Sequence, residues 1–152
     1  MKTNNELDKA FGPVGTTAGI VLFVVGIITI FTSLFGLILI VLGAFVGFTS
    51  TSTIIDFDLK RIKFSNNIFG IIPIGKWIPI DKDMKIGIQE SDITWRTYSK
   101  GNRALDIVDH DFRIVLFDAD DQEIMQIKKT KSQESSESEV DDLCIQLGIS
   151  RI

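Results

Sequence analysis

The chain has 152 residues, with 16 Lys plus Arg against 20 Asp plus Glu and a net charge of −4. An acidic balance lacks the electrostatic footprint of a nucleic-acid binder. Hydrophobic residues make up 45%, concentrated between Pro13 and Phe48, where no Asp, Glu, Lys, Arg, His, Asn or Gln occurs. A run of this length is too long for the core of a small soluble protein and right for two bilayer crossings.

Residues 1–12 read as an N-terminal leader in which Glu6 and Asp8 balance Lys2 and Lys9. That balance, and a second apolar run directly after the first, argue against a cleaved signal peptide. The first crossing is expected over 13–31, about 28 Å at 1.5 Å per residue. The second is expected over 34–50, with the hydroxyls of Thr49 to Ser52 bonding back to the helix. Only Thr32 and Ser33 separate them, so the helices must be antiparallel neighbours. Gly15 with Gly19, and Gly43 with Gly47, form two small-xxx-small pairs at the same end of the hairpin. Close backbone approach there would tighten the hairpin, although the same glycines could serve a partner helix or a second copy. Lys2 and Lys9 before the hairpin, and Lys60, Arg61 and Lys63 after it, favour both ends in the cytoplasm. The single Cys144 has no intramolecular disulfide partner, which fits a reducing compartment.

Residues 51–152 are enough for one domain with its own core. Ile55, Phe57 and Leu59 alternate with Asp56 and Asp58, and Ile62 and Phe64 with Arg61 and Lys63, which predicts two half-buried strands and a turn near Leu59–Lys60. Ile68 to Ile80 holds two prolines and two glycines and reads as a loop leading to an edge strand. Its other reading is an excursion of Phe69–Trp77 into the membrane interface, where Trp is favoured and Lys76 can reach phosphates. Alternation then predicts strands over 84–89, 93–98, 104–108, 113–118 and 122–128, about seven strands in all. Turns are expected at Ser99-Lys100-Gly101-Asn102, Asp109-His110-Asp111 and Asp118-Ala119-Asp120-Asp121. Val140, Leu143, Cys144 and Leu147 form one apolar stripe, so a helix is expected over about 137–147. Ser136 and Glu139 have capping-box spacing, and Gly148 is placed to stop the helix.

Seven short antiparallel strands and a terminal amphipathic helix resemble a pleckstrin-homology-like domain. With the hairpin in front, the chain resembles small membrane proteins of the bacterial inner membrane that carry such a domain. The resemblance covers 51–152 and implies an α+β fold: a seven-stranded antiparallel barrel or sandwich capped by the C-terminal helix. It also implies a binding or scaffolding role, because the fold is a platform and not a catalytic signature. Arg61-Ile62-Lys63 is only faintly similar to the basic pattern that holds phosphoinositide headgroups in some members, and the terminal helix lacks the Trp that many members carry.

No residue set reads as catalytic, cofactor-binding or metal-binding. His110 between two aspartates reads as a turn, and Cys144 on the apolar stripe as a buried, inert thiol. Asp118, Asp120, Asp121 and Glu123 lack the remaining ligands and the glycine of a calcium loop. Lys60, Arg61, Lys63, Lys76 and Trp77 are expected at the membrane interface, each basic residue gaining about 1 kcal/mol from an anionic leaflet. The expectation is therefore a multi-pass inner-membrane protein acting as an accessory or scaffold subunit, the alternative a lipid-sensing module. The bilayer is its first partner, and a membrane protein or a second copy its next.

Overall fold

The computed structural model describes residues 1–98 and 104–152. It is an α+β fold in two compact units: Met1–Leu7, Thr53–Phe64 and Gly75–Ile152 form one, and Asp8–Ser52 and Ser65–Ile74 the other. The expected turn at Ser99-Lys100-Gly101-Asn102 lies outside the described residues.

The second unit is dominated by two helices. Helix α1 (Gly12–Thr29) opens with Pro13 in its first turn, where a missing N–H costs nothing, and α2 (Phe35–Phe48) runs back beside it. By length and composition α1 can cross a membrane, and α2 is a shorter apolar helix. Neither has a polar face. In both, the buried residues are all glycines, Gly12, Gly19 and Gly26 in α1 and Gly36, Gly43 and Gly47 in α2. The large apolar side chains point outward, up to Phe31 at 85% and Leu34 at 86% exposure beside the turn. Helix α2 stops earlier than the sequence suggested. Thr49 is already extended and strand β2 starts at Ser50, so only the Thr49 hydroxyl bonds back, to the Phe45 carbonyl at 2.5 Å.

The stretch read as a leader is strand β1 (Lys2–Lys9). It joins β2 (Ser50–Asp56), β3 (Arg61–Ile68), β4 (Ile72–Ile74) and β5 (Trp77–Pro79) in one sheet ordered β1-β2-β3-β4, with β5 also on β3. The segment read as one loop and one edge strand is thus two three-residue strands. Both lie antiparallel to β3, β4 opposite Asn66–Ile68 and β5 opposite Arg61–Lys63. Each holds one proline, which the sheet tolerates in short strands of this kind.

The second sheet, ordered β8-β7-β6-β9, corrects the expected strand count most. Segments 84–89 and 93–98 are one strand, β6 (Lys85–Tyr98), and 104–108 and 113–118 are one strand, β7 (Ala104–Phe117). Ser91 and Asp92 suggested a break, and so did Asp109-His110-Asp111. Instead they face each other in the ladder, Ser91 opposite Asp111 and Asp92 opposite His110, and the His110 ring meets the Asp92 carboxylate there. Strand β8 (Glu123–Thr130) follows the expected Asp118 turn, and β9 (Ser150–Arg151) adds two residues parallel to β6. The described residues thus form nine strands, where about seven were expected, in two sheets, which favours the sandwich over the barrel.

Helix α3 (Gln133–Leu147) starts four residues before the expected 137. Its cap is Ser132, whose Oγ accepts the Ser135 N–H at 3.3 Å. Ser136 is instead fully buried, donating to the Ser132 carbonyl at 2.9 Å and meeting the Thr130 hydroxyl. At the other end Gly148 takes φ +72°, and its N–H reaches the Cys144 carbonyl at 2.8 Å. Within the first unit, Val140, Leu143 and Leu147 of α3 share one core with Ile55 and Ile62 of the first sheet and Ile86, Ile114 and Ile127 of the second. The two sheets and α3 there make a sandwich-like arrangement.

Candidate functional site

The helical hairpin is held by backbone touching backbone. A Cβ on Gly19 would lie 2.4 Å from the Gly47 nitrogen, one on Gly43 2.3 Å from the Phe23 nitrogen, and one on Gly47 3.0 Å from the Ile20 nitrogen. Three of the four glycines singled out in the sequence therefore lie on the seam between α1 and α2. Gly15 does not: its Cβ would meet only Phe11, on the same chain segment, at 2.8 Å. Two seam residues were missed. Gly26 packs against Ile40, and Gly36 against Ile30, whose nitrogen a Cβ would meet at 2.4 Å. Their signal in the sequence is a spacing of seven, Gly19 to Gly26 and Gly36 to Gly43, which small-xxx-small pairs do not capture.

In the first unit the basic residues after the hairpin separate into different environments. Lys60 sits in the turn at φ +44° and donates to the Leu147 carbonyl at 3.2 Å, where a cation suits the end of α3. Arg61 and Lys63 gather at Trp77, which stands opposite Lys63 in the ladder. The Arg61 guanidinium lies 4.4 Å from the Trp77 ring centroid, and the Lys63 and Lys2 ammonium groups 5.8 Å and 6.0 Å from it. Lys76 is exposed.

The same cluster holds a carboxylate that strand alternation assigns to the polar face. Asp56 is buried, and one of its oxygens accepts from both Nε and Nη2 of Arg61 at 3.2 Å. Burial pushes its carboxyl up, but the Leu59 N–H, Arg61 and Lys2 outweigh that and hold it below the ordinary carboxylate range. Arg61 is thereby committed between Asp56 and Trp77, while Lys2 and Lys63 add charge at the ring.

The remaining candidates resolve as structure. His110 is in β7 and not in a turn, with Nδ1 2.5 Å from Asp92 on the facing strand, both exposed. Asp111 beside it is buried and paired with Arg113 at 2.8 Å, and Lys129 approaches it at 2.8 Å. Burial raises the Asp111 carboxyl, and Arg113 and Lys129 more than reverse this, leaving it low. Asp118 spends one oxygen on the N–H groups of Asp120 and Gln122 at 2.9 Å and 2.8 Å, and Asp121 pairs with Lys85. Cys144 packs against the core, where burial pushes its thiol up and away from reactivity.

The first unit also carries an open groove of about 210 Å³ floored by Ile55, Phe57 and Leu143 and rimmed by Asn5, Glu139 and Gln146. Small-molecule and cofactor sites run from about 300 Å³ upward, so the groove is smaller than such a site. Comparison with protein-family models, with curated proteins and with solved structures returned no match for this chain.

Proposed function

We propose that the chain is a membrane-anchored protein that acts by contact, as an accessory or scaffold subunit of a membrane complex. The observation that carries this is the hairpin: glycine backbone faces inward and large apolar side chains face outward along both helices. In water that surface would be an aggregation site far larger than the few hundred Å² a soluble monomer exposes. In acyl chains it is the surface expected of a two-helix anchor. The flanking Lys2, Lys9, Lys60, Arg61 and Lys63 support both ends lying in the cytoplasm at the inner membrane. A pleckstrin-homology-like reading of the β domain is supported by the order of β2 to β8, seven strands in two antiparallel sets, followed by α3.

A second reading rests on Trp77. Three cations surround its ring and one buried carboxylate offsets them, an arrangement suited to an anionic headgroup. Charge reversal separates the two readings, with Arg61 spared because it holds Asp56. Lys63→Glu with Lys76→Glu should leave a stoichiometric protein partner in place under a mild-detergent pull-down of the full-length protein. Recovery of the protein alone, with anionic lipid that the double variant loses, makes lipid sensing the function and removes the scaffold reading.

A further inference from the structure

Resting on the membrane reading above, we infer that the turn between β3 and β4 is a second membrane-embedded element, immersed in the acyl chains beside the helical hairpin. The turn and hairpin belong to one compact unit. Ile71 is 78% exposed, and Ile72 and Ile74 are about half exposed, at 49% and 53%. They are not a loose loop. The Phe69 ring packs edge-on against Phe45 of α2 at 5.8 Å, and Gly70, at φ +72°, comes so close to α2 that a Cβ would lie 3.0 Å from the Phe48 carbonyl. Phe69 and Gly70 thus dock this turn on the C-terminal end of α2.

Backbone groups in lipid must find partners inside the protein. The N–H groups of this turn do. The Phe69 N–H donates to the Thr49 hydroxyl at 3.4 Å, Gly70 N–H to the Asn67 carbonyl at 3.1 Å, and Ile71 N–H to the Ile68 carbonyl at 3.3 Å. Pro73 has no N–H to satisfy.

Depth points the same way. The 14 residues of α2 span about 21 Å, against a hydrocarbon core of about 30 Å. Because β2 begins at Ser50, the helix itself cannot supply the missing band. This turn and β4, with Ile71, Ile72 and Ile74 outward and Phe69 docked on the C-terminal end of α2, supply apolar surface where the helix runs out. The occupant of this surface is thus lipid, continuous with the lipid around the helices.

The test uses the full-length protein in lipid vesicles, with Cys144→Ala removing the native thiol and one cysteine placed at Ile71, at Val24 of α1 or at Ile145 of α3. Each carries an environment-sensitive fluorophore, challenged with spin-labelled lipids and with aqueous iodide. The expected result is a blue-shifted Ile71 probe, quenched by shallow lipid labels and several-fold less sensitive to iodide than the Ile145 probe. Iodide quenching at Ile71 equal to that at Ile145, with Val24 still lipid-quenched, overturns this inference alone. Iodide quenching at Val24 overturns the membrane anchor itself. Should Ile71→Cys fail to fold, the same comparison at Ile74 carries the test.

Discussion

Adding one methyl group to the hairpin seam, Gly43→Ala, tests whether backbone contact holds the two helices. The new Cβ would stand 2.3 Å from the Phe23 nitrogen, 2.7 Å from its Cα and 2.8 Å from the Gly19 carbonyl oxygen. All three are backbone atoms, so no side chain can rotate away and the helices themselves must part. Opening the shortest contact to 3.4 Å moves them by about 1.1 Å, a gap that forfeits roughly half the attraction of each facing atom pair. The expected loss is about 1–3 kcal/mol, several-fold to a hundredfold in the folded ratio at 1.4 kcal/mol per tenfold. The assay is SDS titration of the full-length protein in mild detergent, followed by energy transfer between dyes on the outward residues Val24 and Leu42. Ala18→Leu, on the exposed side of α1, is the control. A Gly43→Ala midpoint within about 0.5 kcal/mol of that control would refute the seam as the source of hairpin stability.

Removing Arg113 with Arg113→Met strands the buried Asp111 carboxylate. The loss of stability should be toward the lower end of about 3–5 kcal/mol, because Lys129 remains within 2.8 Å; denaturant unfolding of the β domain measures it. Acid should act through Asp111 and Asp56, whose folded carboxyls are both held low. Their contribution is complete above the unfolded carboxylate value of about 3.9 and disappears as pH falls through the folded value, so circular dichroism should stay flat from neutral down to about pH 4 and decline below it. Ser132→Ala should cost about 1 kcal/mol by removing the cap of α3, and an unchanged thermal midpoint would place the start of the helix elsewhere. Lys63→Glu should weaken association with anionic vesicles more than with neutral ones, and equal binding to both would end the headgroup reading of Trp77.

The two helices were legible because an uncharged apolar run over Pro13 to Phe48 is a local property of the chain, read without knowing any tertiary partner. Helix α3 was legible because its stripe and its stop at Gly148 are local. What failed depended on a partner strand. Asp109-His110-Asp111 looks like a turn until Ser91 and Asp92 stand opposite it, and nothing nearby in the chain announces that pairing. Strand β1 presents one buried apolar side chain, Leu7, and is recruited by backbone bonds that leave no mark on composition. The site residues divided in the same way. Gly19, Gly43 and Gly47 were found by spacing, while Asp56 was missed because alternation assigns it to the polar face without revealing that Arg61 and Lys2 cover it there.

Strands β1 and β2 are neighbours in the sheet, yet the whole hairpin lies between them in the chain. Closing a flexible loop of that length would carry an entropy cost rising with the logarithm of its size. Here the loop folds back on itself as two paired helices, and at its base the Ala10 N–H meets the Thr49 carbonyl at 3.1 Å. Once the helices are paired, two strands far apart in sequence are tethered as closely as the arms of a short turn. Pairing of the two helices should therefore come first in folding and nucleate β1–β2 pairing.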